Sequence, residues 1–358
     1  VLTLAVGDGA EESRPRDFAD HGEAVRFILD RLVAGGVLES PEDLDAVAFK
    51  AVMGGDIDPV VLVDDAVLER MEYFAPVAPA HNPPYVGAMR FFRESLPGTP
   101  LVAAFEPGFH RTNPPRRRHY AVPPEWAERY GIRRYGFHGA SHRYVAARMA
   151  KLSPEARRIV SCHLGGSSSL CAIRDGRSVA TSMGLSPQSG LPQSKRAGDL
   201  DPFALKLMAA QTGRDLDDLL AELGGRAGLA AMSGTSGDIR DVKGAADGGD
   251  AGATLATDVF VTAVRDYLGA YLVELGGTDA IVFTGGIGRH NPWLRRRVCE
   301  GLAFAGIRMD PAGNDAAAGE ARFDADGSTA QLWVVPTNEE LIVARQAAEL
   351  LSGREAGT

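Results

Sequence analysis

The sequence has 358 residues, enough for two domains and a large core. Its 47 Asp and Glu outnumber 38 Lys and Arg, giving a net charge of −9. That balance leaves no basic footprint for gripping a nucleic-acid backbone, and no apolar run approaches the roughly 20 residues of a membrane helix.

Residues 1–6 are too short and too uncharged in front to read as a signal peptide. Three scattered cysteines, Cys162, Cys171 and Cys299, argue against a disulfide framework or a Cys-based zinc site. They read as small buried apolar residues in a reducing cytoplasm. Glycine is abundant, 42 residues against the roughly 7% usual in globular proteins, so particular turns must account for it. The sequence opens on Val1 rather than Met, which raises the expectation of a missing front segment.

Helical and strand patterns alternate along the chain and predict α/β architecture. An amphipathic helix is predicted over 20–32, with Ala24, Phe27, Ile28 and Leu32 at helical spacing. Buried strands are predicted over 46–52, before Gly54-Gly55, and over 100–105, before Glu106. Between them His81-Asn82-Pro83-Pro84 reads as a rigid loop, because proline removes a donor and constrains its neighbour. A strand over 158–164 runs into Gly165-Gly166-Ser167-Ser168-Ser169, and strands over 170–173 and 178–181 flank Asp175-Gly176, a two-residue hairpin signal. Helices dominate 201–223, followed by a Gly/Ser/Asp-rich loop over 233–250 and a long helix over about 253–275. A strand over 280–283 enters Thr284-Gly285-Gly286-Ile287-Gly288. Residues 310–325 read as an exposed loop, and a strand over 331–335 meets a final helix whose Thr337 and Glu340 fit a capping box.

The two glycine-rich turns, 163–169 and 284–288, end strands, and their backbone N–H groups and serine hydroxyls suit phosphate oxygens. Neither has the Gly-Lys-Ser/Thr of a P-loop, and a tight turn without ligand is the rival reading. Their pairing favours a nucleotide cleft between lobes. Six of the eight histidines fall between His81 and His163, without the spacing of a zinc site. His138, flanked by Gly136 and Gly139, reads as a ligand; His142 on the following helix reads as structural, and His110 and His119 stay ambiguous. Lys50 in an apolar strand calls for an anion or a snorkelling stem, and Arg196 sits in a turn before a helix. Arg116 to Arg118 and Arg295 to Arg297 read as solvated faces. Glu106 at a strand end suits a metal-bound phosphate. With Glu340 committed to the cap, Glu339 is left to face a cleft, although both acids could simply complement the helix dipole.

Taken in order, His81-Asn82-Pro83, Arg133 to Gly139, Thr181-Ser182-Met183-Gly184, Gly198-Asp199-Leu200-Asp201-Pro202, Ser236-Gly237-Asp238-Ile239-Arg240, Phe283 to Gly288 and Pro336 to Glu340 closely resemble the motifs of the acetate, propionate and butyrate kinases. The resemblance spans about residues 20–351. It implies an α/β, two-lobed actin-like (ribonuclease H-like) ATPase fold, with duplicated βββαβαβα-type domains around a nucleotide cleft. The lobes would be 1–108 completed by 339–358, and 109–338, the second holding a homodimer. It also implies that a short-chain carboxylate is phosphorylated reversibly by ATP, with Mg²⁺ or Mn²⁺, by direct in-line transfer in the cytoplasm. Carried over by position, His81, His138, Arg196 and Lys50 contact the phosphoryl group and carboxylate, and Glu106 and Glu339 organise the metal. His163, Gly165, Gly166, Ser167 and Ser168 meet the phosphates; Asp238, Ile239, Arg240, Gly285, Gly286, Ile287 and Gly288 meet the adenosine. Val52, Ala80, Phe137 and Pro187 line the acyl pocket.

The chemistry agrees with those residue types. A carboxylate is ionised at neutral pH and needs no general base; it needs cations and donors to hold like charges together. Several positions depart from the family pattern. Lys50 stands for an arginine, Glu106 for an aspartate, Gly166 for an asparagine, Ala80 for a common leucine, Ser186 to Ser189 for Thr-Pro-Leu-Glu and Arg289-His290 for Glu-Asn. Residues 1–9 imitate the family's first phosphate motif only vaguely, leaving the chain some tens of residues short at the front. These departures motivate a rival reading, a paralogue that binds nucleotide without turnover as a regulatory or assembly protein. A kinase of sugars or polyols is a third.

Overall fold

The computed structural model describes residues 2–4, 12–14, 18 and 21–353. The chain divides at Phe105/Glu106 and again at Ile342/Val343: the earlier residues and the segment from Val343 form one unit, and Glu106–Ile342 the other.

In the first unit β1 (Leu2–Leu4) pairs antiparallel with β2 (Glu12–Arg14). The rest of the run 1–9 lies outside the described residues. A second sheet has the order β3-β5-β4, built from β3 (Val47–Ala51), β4 (Val60–Leu62) and β5 (Leu101–Phe105), with β3 and β5 parallel. Every residue of β5 is buried, as a central strand covered on both faces should be. The helices Asp65–Tyr73 and Asn82–Ser95 pack Leu68, Met71, Val86 and Met89 against Phe49, Ala103 and Phe105.

The second unit is organised by a six-stranded sheet, β10-β11-β9-β6-β7-β8. Its antiparallel meander consists of β6 (Arg158–Leu164), β7 (Ser168–Arg174) and β8 (Arg177–Thr181); β9 (Ala280–Thr284) lies parallel to β6 and β11 (Gln331–Val334) parallel to β9, with β10 (Ala321–Arg322) at the edge. Asp175 and Gly176 both take positive φ, the hairpin geometry expected of Asp-Gly. Strand alternation assigns the two faces. Val160, Cys162, Leu170, Ala172, Ile281 and Phe283 pack with Phe260, Val264 and Leu268 of the long helix Ala251–Leu275. Ile159, Cys171, Ile173 and Val282 pack with Val145 and Met149 of the helix Gly139–Leu152. Ser161, His163 and Ser169 therefore share that second face with Ser141 and His142.

Four sequence expectations change. His81-Asn82-Pro83-Pro84 is a helix start rather than a loop: His81 is the N-cap of Asn82–Ser95. Proline is tolerated there because first-turn N–H groups have no intrahelical partner. The 233–250 stretch contains the helix Ile239–Asp247, capped by Asp238. The 310–325 stretch is structured, with Asp310 capping the helix Pro311–Ala316 and Ala321–Arg322 joining the sheet. The final helix, Glu339–Leu351, is capped by Asn338, whose Oδ1 accepts from Leu341 N at 2.9 Å. The Thr337 hydroxyl is buried without a hydrogen-bond partner, so the Thr337/Glu340 box does not form.

Candidate active site

In the first unit Lys50 lies half-buried on β3, and Val52 is buried just beyond the strand's end. Asn82 ties that end to the helix that His81 caps. Its Oδ1 accepts from Met53 N at 3.3 Å, and its Nδ2 donates to Met53 O at 2.8 Å and to Met71 O at 2.7 Å. A fully buried amide with both ends bonded fixes His81 relative to Val52. Ala80 is exposed.

The second unit gathers the remaining candidates. Glu106 follows β5 and is buried, and its Oε2 accepts from Ala140 N at 3.4 Å, at the start of the helix Gly139–Leu152. Gly139 permits that approach, since a Cβ there would lie 1.9 Å from Glu106 O. His138, the helix N-cap, is held in the left-handed region at φ 55°, and its ring stacks on His163 at 4.2 Å. Phe137 and Pro187 are buried.

Arg196 is half-buried, and its Nη1 donates to Gln193 Oε1 at 3.0 Å and to Ser167 Oγ at 3.3 Å. Ser167 Oγ also donates to Gln193 Oε1, at 2.8 Å. Burial draws the Arg196 pKa down from its ordinary value. The guanidinium thus stands beside the 163–169 turn, whose Gly166 O accepts from Ser194 N at 3.1 Å and whose Ser168 Oγ closes on Gly165 O at 3.0 Å. The second glycine turn lies alongside: β6 and β9 are neighbours with His163 opposite Thr284, and a Cβ on Gly285 would sit 2.5 Å from Leu164 O. Gly286 is exposed, while Gly285, Ile287 and Gly288 are buried.

Ser194 also anchors the third segment. Gly237 packs against Ser194 O and leads into Asp238, whose carboxylate accepts from Arg240 Nε at 2.9 Å and Nη2 at 2.7 Å. The Arg240 hydrogen bonds pull the Asp238 pKa down to about 2. Ile239 points into the core.

Two supporting groups, Gln193 and Arg295, escape motif reading, and a third, His142, is structural as its place on the helix suggested. Gln193 orients both Arg196 and Ser167, and only its place in the turn before Arg196 hints at it. His142 is buried and bonded to Ser161 and Ser169, and burial holds its pKa well below the ordinary value. Arg295, expected on a solvated face, is instead fully buried and donates to Gly288 O at 2.9 Å, Arg289 O at 2.7 Å and Asn314 O at 2.7 Å. It fastens the last turn of the Gly285–His290 helix. Arg296 and Arg297 pair with Asp315 and Asp258 at the surface.

The sequence model of the Acetokinase family matches residues 1–345. The chain belongs to the acetokinase family. It is 38% identical over 349 residues to the acetate kinase of Shouchella clausii, covering 96% of this chain and 88% of that protein. The crystal structure of Porphyromonas gingivalis acetate kinase superposes with a TM-score of 0.87 at 33% identity, over 98% of this chain and 89% of the other. A propionate kinase from Francisella tularensis gives 0.85 at 32% identity, over 91% and 84%. The fold is the two-domain actin-like fold of these enzymes. Acetokinase membership makes the chain a kinase, a phosphotransferase acting on a carboxyl group, with ATP or ADP and a divalent metal implied. Nothing in these likenesses supports the paralogue without turnover.

Proposed function

We propose that this acetokinase transfers the γ-phosphoryl group of ATP reversibly to a short carboxylate such as acetate or propionate, by direct in-line attack. The observation that carries this is the fork of Arg196, held by Gln193 and Ser167 against the Gly165–Ser168 turn. A planar cation anchored through Nη1 is preorganised to meet anionic oxygens with its donor fork. Arg196 and His138 stabilise charge on the transferring group, and His81 and Lys50 add a donor and a cation from the first unit. The acceptor oxygen is already anionic, so no side chain removes a proton from it. Asp238, Ile239, Arg240 and Gly285 to Gly288 are assigned to the adenosine, and His163, Gly165, Gly166, Ser167 and Ser168 to the phosphates.

The metal is assigned as Mg²⁺. Among the described residues no three His, Cys, Asp or Glu side chains converge into a cage. Two carboxylates, Glu106 and Glu339, with substrate phosphates completing the shell, suit an ion that keeps waters and takes few protein ligands. Such an ion supplies charge neutralisation on the phosphate oxygens. Val52, Ala80, Phe137 and Pro187 are assigned to the acyl group, and the small, exposed Ala80 suits an acid longer than acetate.

Lobes over 1–108 with 339–358 and over 109–338 are supported by the division of contacts near both boundaries. Dimerisation through the second lobe is supported by Phe203, Leu207, Leu216 and Leu220, large apolar side chains left exposed on two successive helices. Three buried, unpaired thiols support a cytoplasmic location.

The test is direct: purified protein, ATP, Mg²⁺ and a panel of short carboxylates, with hydroxylamine trapping the acyl phosphate. Hydroxamate from acetate or propionate is expected. ATP binding with no hydroxamate from any acid would overturn the assignment.

A further inference from the structure

Four side chains of the second unit form one hydrogen-bonded chain. Ser161 Oγ lies 2.9 Å from His142 Nδ1, His142 Nε2 lies 2.9 Å from Ser169 Oγ, and Ser169 Oγ lies 2.8 Å from His138 Nδ1. Ser161, His142 and Ser169 are fully buried, so no bulk water can complete their valences. Each hydroxyl owns one proton, and each neutral imidazole owns one N–H and one lone pair.

Those inventories fix the direction of the chain. Among the described residues Ser161 Oγ meets a single hydrogen-bond partner, His142 Nδ1. If that nitrogen carried the proton, the buried Ser161 hydroxyl would have nothing to accept its own. With Nδ1 the acceptor, His142 carries its proton on Nε2 and donates to Ser169 Oγ. Ser169 then donates to His138 Nδ1, and the remaining proton of His138 is on Nε2.

We propose that Ser161, acting through His142 and Ser169, is a positioning residue that fixes His138 as the Nε2–H tautomer, so that its ring meets the transferring phosphoryl group as a donor. This rests on the assignment of His138 to that group. Burial, reinforced by the neighbouring His110 and His163, holds the His142 pKa well below its ordinary value. The chain requires this, because an imidazolium would donate from both nitrogens. Ring plane and tautomer are set separately: the stack on His163 holds the plane, and the buried chain selects the proton.

The test uses full-length protein with ¹⁵N-labelled histidine, in wild type, Ser161→Ala and Ser161→Thr, with His138→Gln assigning the signals. In the wild type the His138 Nε2 is expected to be protonated and Nδ1 bare. In Ser161→Ala the two tautomers should mix, and kcat should fall about threefold while KM for ATP and carboxylate moves less than about twofold. Ser161→Thr, which keeps the hydroxyl, should restore both spectrum and rate. A wild-type His138 protonated on Nδ1, or on both nitrogens at the pH of maximal activity, would overturn the proposal. So would a Ser161→Ala protein with unchanged tautomer. The spectrum is read without turnover, so a protein that makes no acyl phosphate would sink the proposed function and leave this result to be judged alone.

Discussion

His110 Nε2 donates to the carbonyl oxygen of Phe137 at 3.0 Å, one residue before the left-handed His138. A carbonyl can only accept, so the His110 proton is on Nε2, with Nδ1 facing Ser178 Oγ at 2.9 Å. Gly136 completes the turn: it takes φ +80°, and a Cβ there would lie 2.7 Å from His110 Cδ2. A non-glycine residue in the left-handed region costs about 1–2 kcal/mol. A buried histidine and a glycine together over-determine the strained turn that aims His138.

The same burial makes the protein acid-sensitive. Desolvation lowers the His110 pKa from 6.5 to about 4. Between those values the unfolded chain binds a proton that the folded chain refuses, so stability is full above pH 6.5 and falls on acidification. The loss by pH 4 is about 3 kcal/mol from His110 alone, and His142 acts in the same direction. Urea midpoints at about pH 7.5 and about pH 5 should differ accordingly. Equal midpoints would refute the account.

Arg196 is expected to act as a fork, not as a charge. Arg196→Ala should lower kcat by about 10²-fold to 10³-fold, and Arg196→Lys should recover little of it because an ammonium cannot reproduce the planar pair of donors. Gln193→Ala, which frees the guanidinium from its Oε1 anchor, should cost about tenfold. Steady-state rates with ATP and propionate decide; Arg196→Lys at wild-type rate would contradict the reading.

Arg295 offers a test of how the 284–288 turn, assigned above to the adenosine, is held. Burial pulls its pKa down to about 10, so it stays cationic at neutral pH. Arg295→Met would strand the carbonyl groups of Gly288, Arg289 and Asn314, at a cost of about 3 kcal/mol or more. The Tm should drop, and KM for ATP should rise more than KM for carboxylate. Arg295→Lys, with one compact ammonium in place of a fork, should rescue only partly.

Lys50 lies half-buried on β3 and is assigned above to the anion. Lys50→Arg should leave the rate equal or raise it by a few-fold, and Lys50→Ala should lower kcat/KM for the carboxylate by about 10²-fold. If Lys50→Ala left that ratio unchanged, the residue would have no part in binding the anion.

The fold was largely readable along the chain because strand and helix periods are local. The strands read over 158–164 and 280–283 and the Asp175-Gly176 turn appear in the structure as β6, β9 and the β7–β8 hairpin. Errors fell where a side chain far along the chain, or a position within a helix, changes the meaning of a residue. Pro83 and Pro84 are breakers inside a helix but acceptable in its first turn. Asn338 out-competed Thr337 for the cap.

The sequence by itself determined the family, the order of the motifs and the residue types proposed for phosphate and carboxylate, because each motif is a short run whose chemistry is written in consecutive residues. Only the tertiary structure decided which side chains support them. Arg295 looks like its neighbours Arg296 and Arg297 until the Gly285–His290 turn and Asn314 close over it. His142 is one histidine among six until the alternation of β6 and β7 places Ser161 and Ser169 on the face it packs against. Burial and hydrogen-bond completion are properties of several distant segments at once, so no local pattern could have announced them.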